Sequence, residues 1–236
     1  GATTFDGMSD SAMIAALKTS DNSGIADAAV AALGISGIST LAALNTAYDA
    51  LANPTVTDFT LSSSVTTTAG SSSNDTFSGV LVGAAAAGTT LNAGDIINGG
   101  DGTDTFTLAV SGSGGAVVNV VGVQATGVES FLVSNFDTHA SITDVDATLM
   151  TGLATVGLKA SSSTGDTEFS NVANIVDAEM ASGTADLTLV YTATASTGSN
   201  TQNLALMNQT NGTATIANVE TVNVSSTLAA NTLADL

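Results

Sequence analysis

The segment Gly99-Gly100-Asp101-Gly102-Thr103-Asp104-Thr105-Phe106-Thr107 constrains this chain more than any other. Three glycines and two aspartates fall within six residues, and an alternation of polar and apolar side chains follows at once. Glycine enters the positive-φ region that other residues avoid, so the backbone turns sharply and aims its carbonyl oxygens inward. Aspartate favours turns and supplies oxygen ligands. Alternation is the period of a half-buried strand, with Phe106 as the anchor of its apolar face.

The segment fits the nonapeptide G-G-x-G-x-D-x-U-x at every defined position, a pattern associated with a calcium-binding parallel β-helix. Hard oxygen donors with no Cys or His beside them suit Ca²⁺ better than a transition metal. Nine residues upstream, Thr90–Asn98 is a degraded copy, with Asp95 and Ile97 in register with Asp104 and Phe106 but without the first two glycines. A third partial copy, "GSSSNDTF" at 70–77, puts Asp75 in register. A plain Gly/Asp turn between two strands, holding no ion, is the other reading of the same residues.

Alternating stretches recur through 54–236: "TVTDFTLSSSVTTT", "VVNVVGV", "VESFLVS", "LTLVYTATA" and "VETVNVS". "TGVESFLVSN" (126–135) echoes "ANVETVNVSS" (217–226). A short unit of turn, strand and acid, reused irregularly, is the mark of a β-solenoid. A β-sandwich is the alternative. Glu129 and Glu220 precede their strands at equivalent places and are expected to cap turns. Before Asn53-Pro54 the composition differs. Residues 1–53 are Ala-rich, and Leu41, Leu44, Tyr48 and Leu51 form one helical stripe, so a short helical region is expected there.

Charge narrows the partners. The chain has 236 residues, 21 acids and two cations, Lys18 and Lys159, for a formal net charge of −19. Seventeen of the acids are Asp. Nucleic-acid binding needs cations to replace phosphate counterions, so it is not expected. No apolar run approaches a membrane span, so membrane insertion is not expected either. At 44% hydrophobic residues the chain has enough apolar surface for a core despite its charge. The absence of cysteine excludes disulfides and thiolate metal sites.

Residues 70–110 resemble the crystalline surface-layer proteins of Gram-negative bacteria that carry haemolysin-type (RTX) calcium-binding repeats. The "NDTF" turn leads there into "LNAGDIINGGDGTDTF", and the later "GVESFLV" and "NVETVNV" look like the same family's repeated strands. The resemblance is close over 70–110 and loose over 55–236. It implies Ca²⁺ as the cofactor, with ligand roles for Asp95, Asp101 and Asp104 and carbonyls from Gly99, Gly100 and Gly102. Asn74, Asp75 and Asn98 belong to the same expected set. It further implies secretion to the cell surface, non-covalent self-assembly into a layer or filament, and cell-surface polysaccharide as a second partner. Two departures stand out. Long tandem nonapeptide arrays are missing, and "NTLADL" stops inside a repeat, which reads either as a fragment of a longer protein or as a short relative competent for assembly.

Catalysis is not expected. His139, the single histidine, lies between Asp137 and Ser141, but close sequence neighbours rarely build a catalytic triad. Asp144 with Asp146, and Asp166 with Glu168, stand two apart and read as a further ion site or as solvated turns. A module of a type I-secreted adhesin is the alternative function. A hydrolase would need a catalytic domain larger than residues 1–53.

Overall fold

The computed structural model describes residues 57–83, 87–112, 118–139, 141–228 and 230–236. The chain divides at Thr55/Val56, and all of these residues belong to the second unit, Val56–Leu236. The helical region expected at 1–53 lies outside the described residues.

Each circuit of the chain lays one strand on a long sheet and then one or two on shorter sheets. The circuits run β1 (Thr57–Thr60) and β2 (Thr67–Ala69); β3 (Asp75–Val82) and β4 (Ile96–Asn98); β5 (Thr105–Ser111) and β6 (Gln124–Thr126). Then come β7 (Ser130–Phe136), β8 (Thr143–Asp146) and β9 (Met150–Thr151); β10 (Thr155–Ser161) and β11 (Thr167–Val172); β12 (Asp177–Ala181) and β13 (Leu187–Tyr191). Last are β14 (Thr201–Met207), β15 (Ala214–Ile216) and β16 (Thr221–Thr227). The long sheet has the order β1-β3-β5-β7-β10-β12-β14-β16, and the short sheets are β2-β4-β6-β9 and β8-β11-β13-β15.

Every neighbouring pair is parallel. Parallel neighbours require a crossover, usually a helix. Here the crossover is a strand of a short sheet, which makes the architecture a mainly-β solenoid. The sandwich alternative fails on this point, since its sheets are antiparallel.

Stacking in register turns the sequence alternation into continuous rows. One inward row of the long sheet reads Phe59, Phe77, Phe106, Phe131, Val156, Ala178, Leu204 and Val224. Phe59 stacks on Phe77 with centroids 5.0 Å apart, and Phe106 on Phe131 at 4.7 Å. Phe131 also meets Phe169 of β11 edge-on at 5.9 Å, tying the long sheet to a short one across the core. Ile97, Ala125 and Met150 supply the inward row of the other short sheet. The rungs differ in length, with 18 residues from Thr57 to Asp75, 29 from Asp75 to Asp104 and 25 from Asp104 to Glu129. Loops between strands absorb the difference, so the fold repeats more regularly than the sequence does.

Phe131 is fully buried and touches aromatic rings from two sheets. Phe131→Ala is expected to lower unfolding stability by about 3–5 kcal/mol, the range for a large-to-small change in a core that cannot collapse. Urea denaturation measures it, and a loss below about 1 kcal/mol would contradict this packing.

Candidate functional site

At or just before the start of β1, β3, β5 and β14 an amide points along the stack toward the next rung, where the chain is turning. A buried amide needs an acceptor. Acidic side chains provide it. Asp75 Oδ1 accepts the Thr57 amide at 3.3 Å, Asp104 Oδ1 accepts the Asp75 amide at 2.6 Å, and Glu129 Oε2 accepts the Asp104 amide at 2.7 Å. Glu220 does the same for Asn200 at 2.7 Å. Glu129 and Glu220 thus cap at equivalent places, as their positions in the sequence suggest.

The same device appears on the short sheets. Asp95 Oδ1 accepts the Thr66 amide at 2.7 Å. On the third sheet the direction reverses: Asp166 Oδ1 accepts from Asp186 N at 2.8 Å, and Asp186 Oδ1 from Thr213 N at 2.7 Å. Asp166 and Asp186 were not legible as a pair, because no glycine turn marks Asp186. The recurrence of an Asp one residue before a strand is the signal that finds them.

The expected ligand set divides between two corners. Asp75 and Asp104 share a column, and the turn Gly99-Gly100-Asp101-Gly102 stacks on the turn that contains Ser71 and Ser73. Asn74 sits at its lip, where its Oδ1 accepts the Thr103 amide at 2.9 Å. Asp95 is fully buried at another corner, with its second oxygen taken by the Asn92 amide at 2.6 Å. Asp101 is exposed, and the Asn98 side chain meets Thr126 Oγ1 on the surface. No group of three or more His, Cys, Asp or Glu side chains among the described residues is placed to hold a metal ion.

Two turns of this column have the same plan but different outcomes. At Gly70, the Gly99 carbonyl and Asp75 Oδ2 both crowd the space that a side chain would fill. At Gly99, the Gly127 carbonyl and Asp104 Oδ2 do the same. Asp75 Oδ2 is answered by the Ser71 amide at 2.5 Å, and its Oδ1 by the Ser71 hydroxyl at 3.2 Å. Asp104 Oδ2 is buried and has no donor. Burial pushes the Asp75 carboxyl up, but the Ser71 and Thr57 hydrogen bonds outweigh it and hold the group below the usual carboxylate range. Asp104 goes the other way. Its burial is opposed only by the Asp75 amide, and the charges of Glu129 and Asp75 add to the rise.

The remaining constellations are turns. Asp137 Oδ1 accepts the His139 amide, and His139 Nδ1 accepts the Ser141 amide, so these three residues do not form a proton relay. Asp146 caps Thr148 and holds Asn171. Comparison with protein-family models, curated proteins and solved structures found no match to this chain.

Two outcomes follow for these acids. Asp186→Ala is expected to destabilise the fold by about 1–3 kcal/mol in the absence of any ion, because the Thr213 amide loses a charged acceptor. Asp104 behaves differently. Its folded-state carboxyl is raised above 3.8, so its favourable contribution is complete below that value and is lost as pH rises through the folded-state value. In EGTA, the stability of the natural chain relative to Asp104→Asn should therefore fall as pH is raised from about 4 to 7. A difference independent of pH, measured by thermal melting, would show that Asp104 is not a strained anion.

Proposed function

We propose that this chain is a secreted, calcium-stabilised structural protein that assembles with copies of itself at the bacterial cell surface, as a layer or a filament. One observation carries the calcium part. A fully buried carboxylate oxygen, Asp104 Oδ2, has no donor, and it and the Gly127 carbonyl crowd the same position beside Gly99. Like-signed oxygens brought together without a proton between them call for a cation. An all-oxygen set with no sulfur or imidazole fits Ca²⁺. Asp104 and the Gly127 carbonyl would hold the ion. When bound, it neutralises the carboxylate and ties the Gly99 turn to the next rung. Asp75 is already satisfied by Ser71 and keeps its structural role. Asp95, Asp101 and Asn98 stand apart from this point.

Surface assembly rests on the resemblance over 70–110 and on the solenoid architecture, which stacks by nature. An adhesin module is the second reading, and one feature favours it. Thr76, Thr105, Ser130 and Thr155 form a hydroxyl row on the outward face of the long sheet. A glycan array would detect binding through that row, and loss of glycan binding in Thr105→Val would support it over assembly.

Electron microscopy of the purified protein in millimolar calcium tests the leading reading: ordered sheets or fibres are expected, and isolated particles would contradict it. Calcium itself is tested by melting. Extracellular sites bind with dissociation constants of about 0.1–1 mM, and tenfold excess over one site contributes about 1.4 kcal/mol, or roughly 3–6 °C in Tm. Asp104→Ala should abolish that shift and Asp186→Ala should retain it. An unchanged melting temperature with and without EGTA in the natural chain would remove calcium from the proposal.

A further inference from the structure

The corner where the chain leaves the long sheet after β7 holds another buried acid, which caps no neighbouring rung. Asp137 is 2% exposed. Its Oδ1 accepts the His139 amide at 3.1 Å, and its Oδ2 is buried with no donor among the described residues. The carboxyl lies against Gly112 of the preceding rung, which follows β5 as Asp137 follows β7. A side chain at 112 would collide with Asp137 Oδ1 and start 3.4 Å from Oδ2, so the glycine leaves the carboxyl its place.

The donors around this carboxyl are committed elsewhere. Asn135 Nδ2 donates to the Asp166 carbonyl at 3.2 Å and to Thr167 Oγ1 at 3.1 Å. The Thr164 hydroxyl donates to the Asp137 carbonyl at 2.9 Å, and the Thr138 hydroxyl to the Gly112 carbonyl at 3.2 Å. The one lysine among the described residues, Lys159, is exposed and acts on Glu179. A buried anion left without a donor or a positive charge is costly. The Gly112 carbonyl adds a further oxygen at this corner, held in place by Thr138. His139 adds no ligand: its Nδ1 accepts the Ser141 amide at 3.1 Å, so the neutral ring carries its proton on Nε2 and has no lone pair free there.

We propose that Asp137 binds a second Ca²⁺, with Oδ2 and the Gly112 carbonyl as protein ligands and solvent completing the shell beside the exposed Thr138. Oxygen donors alone suit a hard cation. Asp104 and Gly127 stand before β5 and β7, whereas Gly112 and Asp137 stand after them. The two ions would therefore clamp the same pair of rungs at opposite ends of its strands. The inference rests on the calcium reading for its choice of ion, but it uses none of the residues at Asp104.

Equilibrium dialysis against radiolabelled calcium, at about ten times a dissociation constant of about 0.1–1 mM, tests it. Asp137→Asn keeps the shape of the side chain and replaces the unanswered oxygen with a donor, so it should melt no lower than the natural chain in EGTA. In calcium it should bind one equivalent fewer. Asp104→Asn should lose a different equivalent, and the double variant should lose both. Hydrogen exchange gives a second measure that needs no change at 137. In Asp104→Asn protein, calcium should slow exchange of the amides across 135–139 at least tenfold. Full calcium binding by Asp137→Asn, or exchange of that segment independent of calcium, would overturn the proposal. Loss of one equivalent in Asp137→Asn beside full binding in Asp104→Asn would instead remove the Asp104 reading and leave this site standing. A natural chain that binds no calcium would remove both.

Discussion

The hydrogen bond between an acidic side chain and the first amide of a neighbouring rung is the contact on which this solenoid depends. A parallel stack has no hairpin to fix its register, and rungs of 18, 29 and 25 residues give no help from length. An inward row of phenylalanines favours alternation but tolerates a slip by two residues. The carboxylate does not, because it fits only the amide directly across from it. A charge-assisted hydrogen bond of this kind is worth about 1.5–3 kcal/mol. Repeated at Asp75, Asp95, Asp104, Glu129, Asp166, Asp186 and Glu220, it pins strand starts on all three sheets.

This use of acids explains why so negative a chain can fold. Several of its carboxylates are backbone acceptors inside turns, and Asp75 shows how complete the compensation becomes when amide and hydroxyl both answer it. Asp104 has the same place in the next rung but lacks the second donor. Its turn carries glycines at 100 and 102 with φ of 102° and 121°, where the preceding turn has serines. The Ser71 hydroxyl that answers Asp75 Oδ1 has no counterpart at Gly100, and no amide of this turn answers Asp104 Oδ2 as the Ser71 amide answers Asp75 Oδ2. The nonapeptide is thus the turn that the acid ladder leaves unfinished.

Much of this could be read in the sequence. Alternation located the strands, irregular repetition implied a solenoid, and Glu129 and Glu220 fell at matching points of their rungs. The grouping of Asp95 with Asp104 shows where linear reading fails. Nine residues carry the chain across from a short sheet to the long one, so Asp95 opens β4 while Asp104 opens β5. Residues equivalent in the repeat therefore occupy different corners, and the neighbours of Asp104 are Asp75 and Glu129, 29 and 25 residues away. Those separations depend on loop lengths that obey no period. Asp186 was missed for a related reason: its role is set by the rung beside it, not by a turn of its own.

Charge is unevenly placed along the stack. The aromatic core is densest in the first rungs, with Phe59, Phe77, Phe106 and Phe131 in one row. The row continues as Val156, Ala178, Leu204 and Val224, and after Asp186 the acids thin out to Glu220 and Asp235. Buried amides there find neutral partners instead: Gln209 N donates to Asn231 Oδ1, and Tyr191 donates to Gln202, with burial pushing its hydroxyl up to about 12. Buried polar groups in the stack are thus answered by carboxylates at Asp75, Asp95 and Glu129 and by neutral amide groups at Gln202 and Asn231.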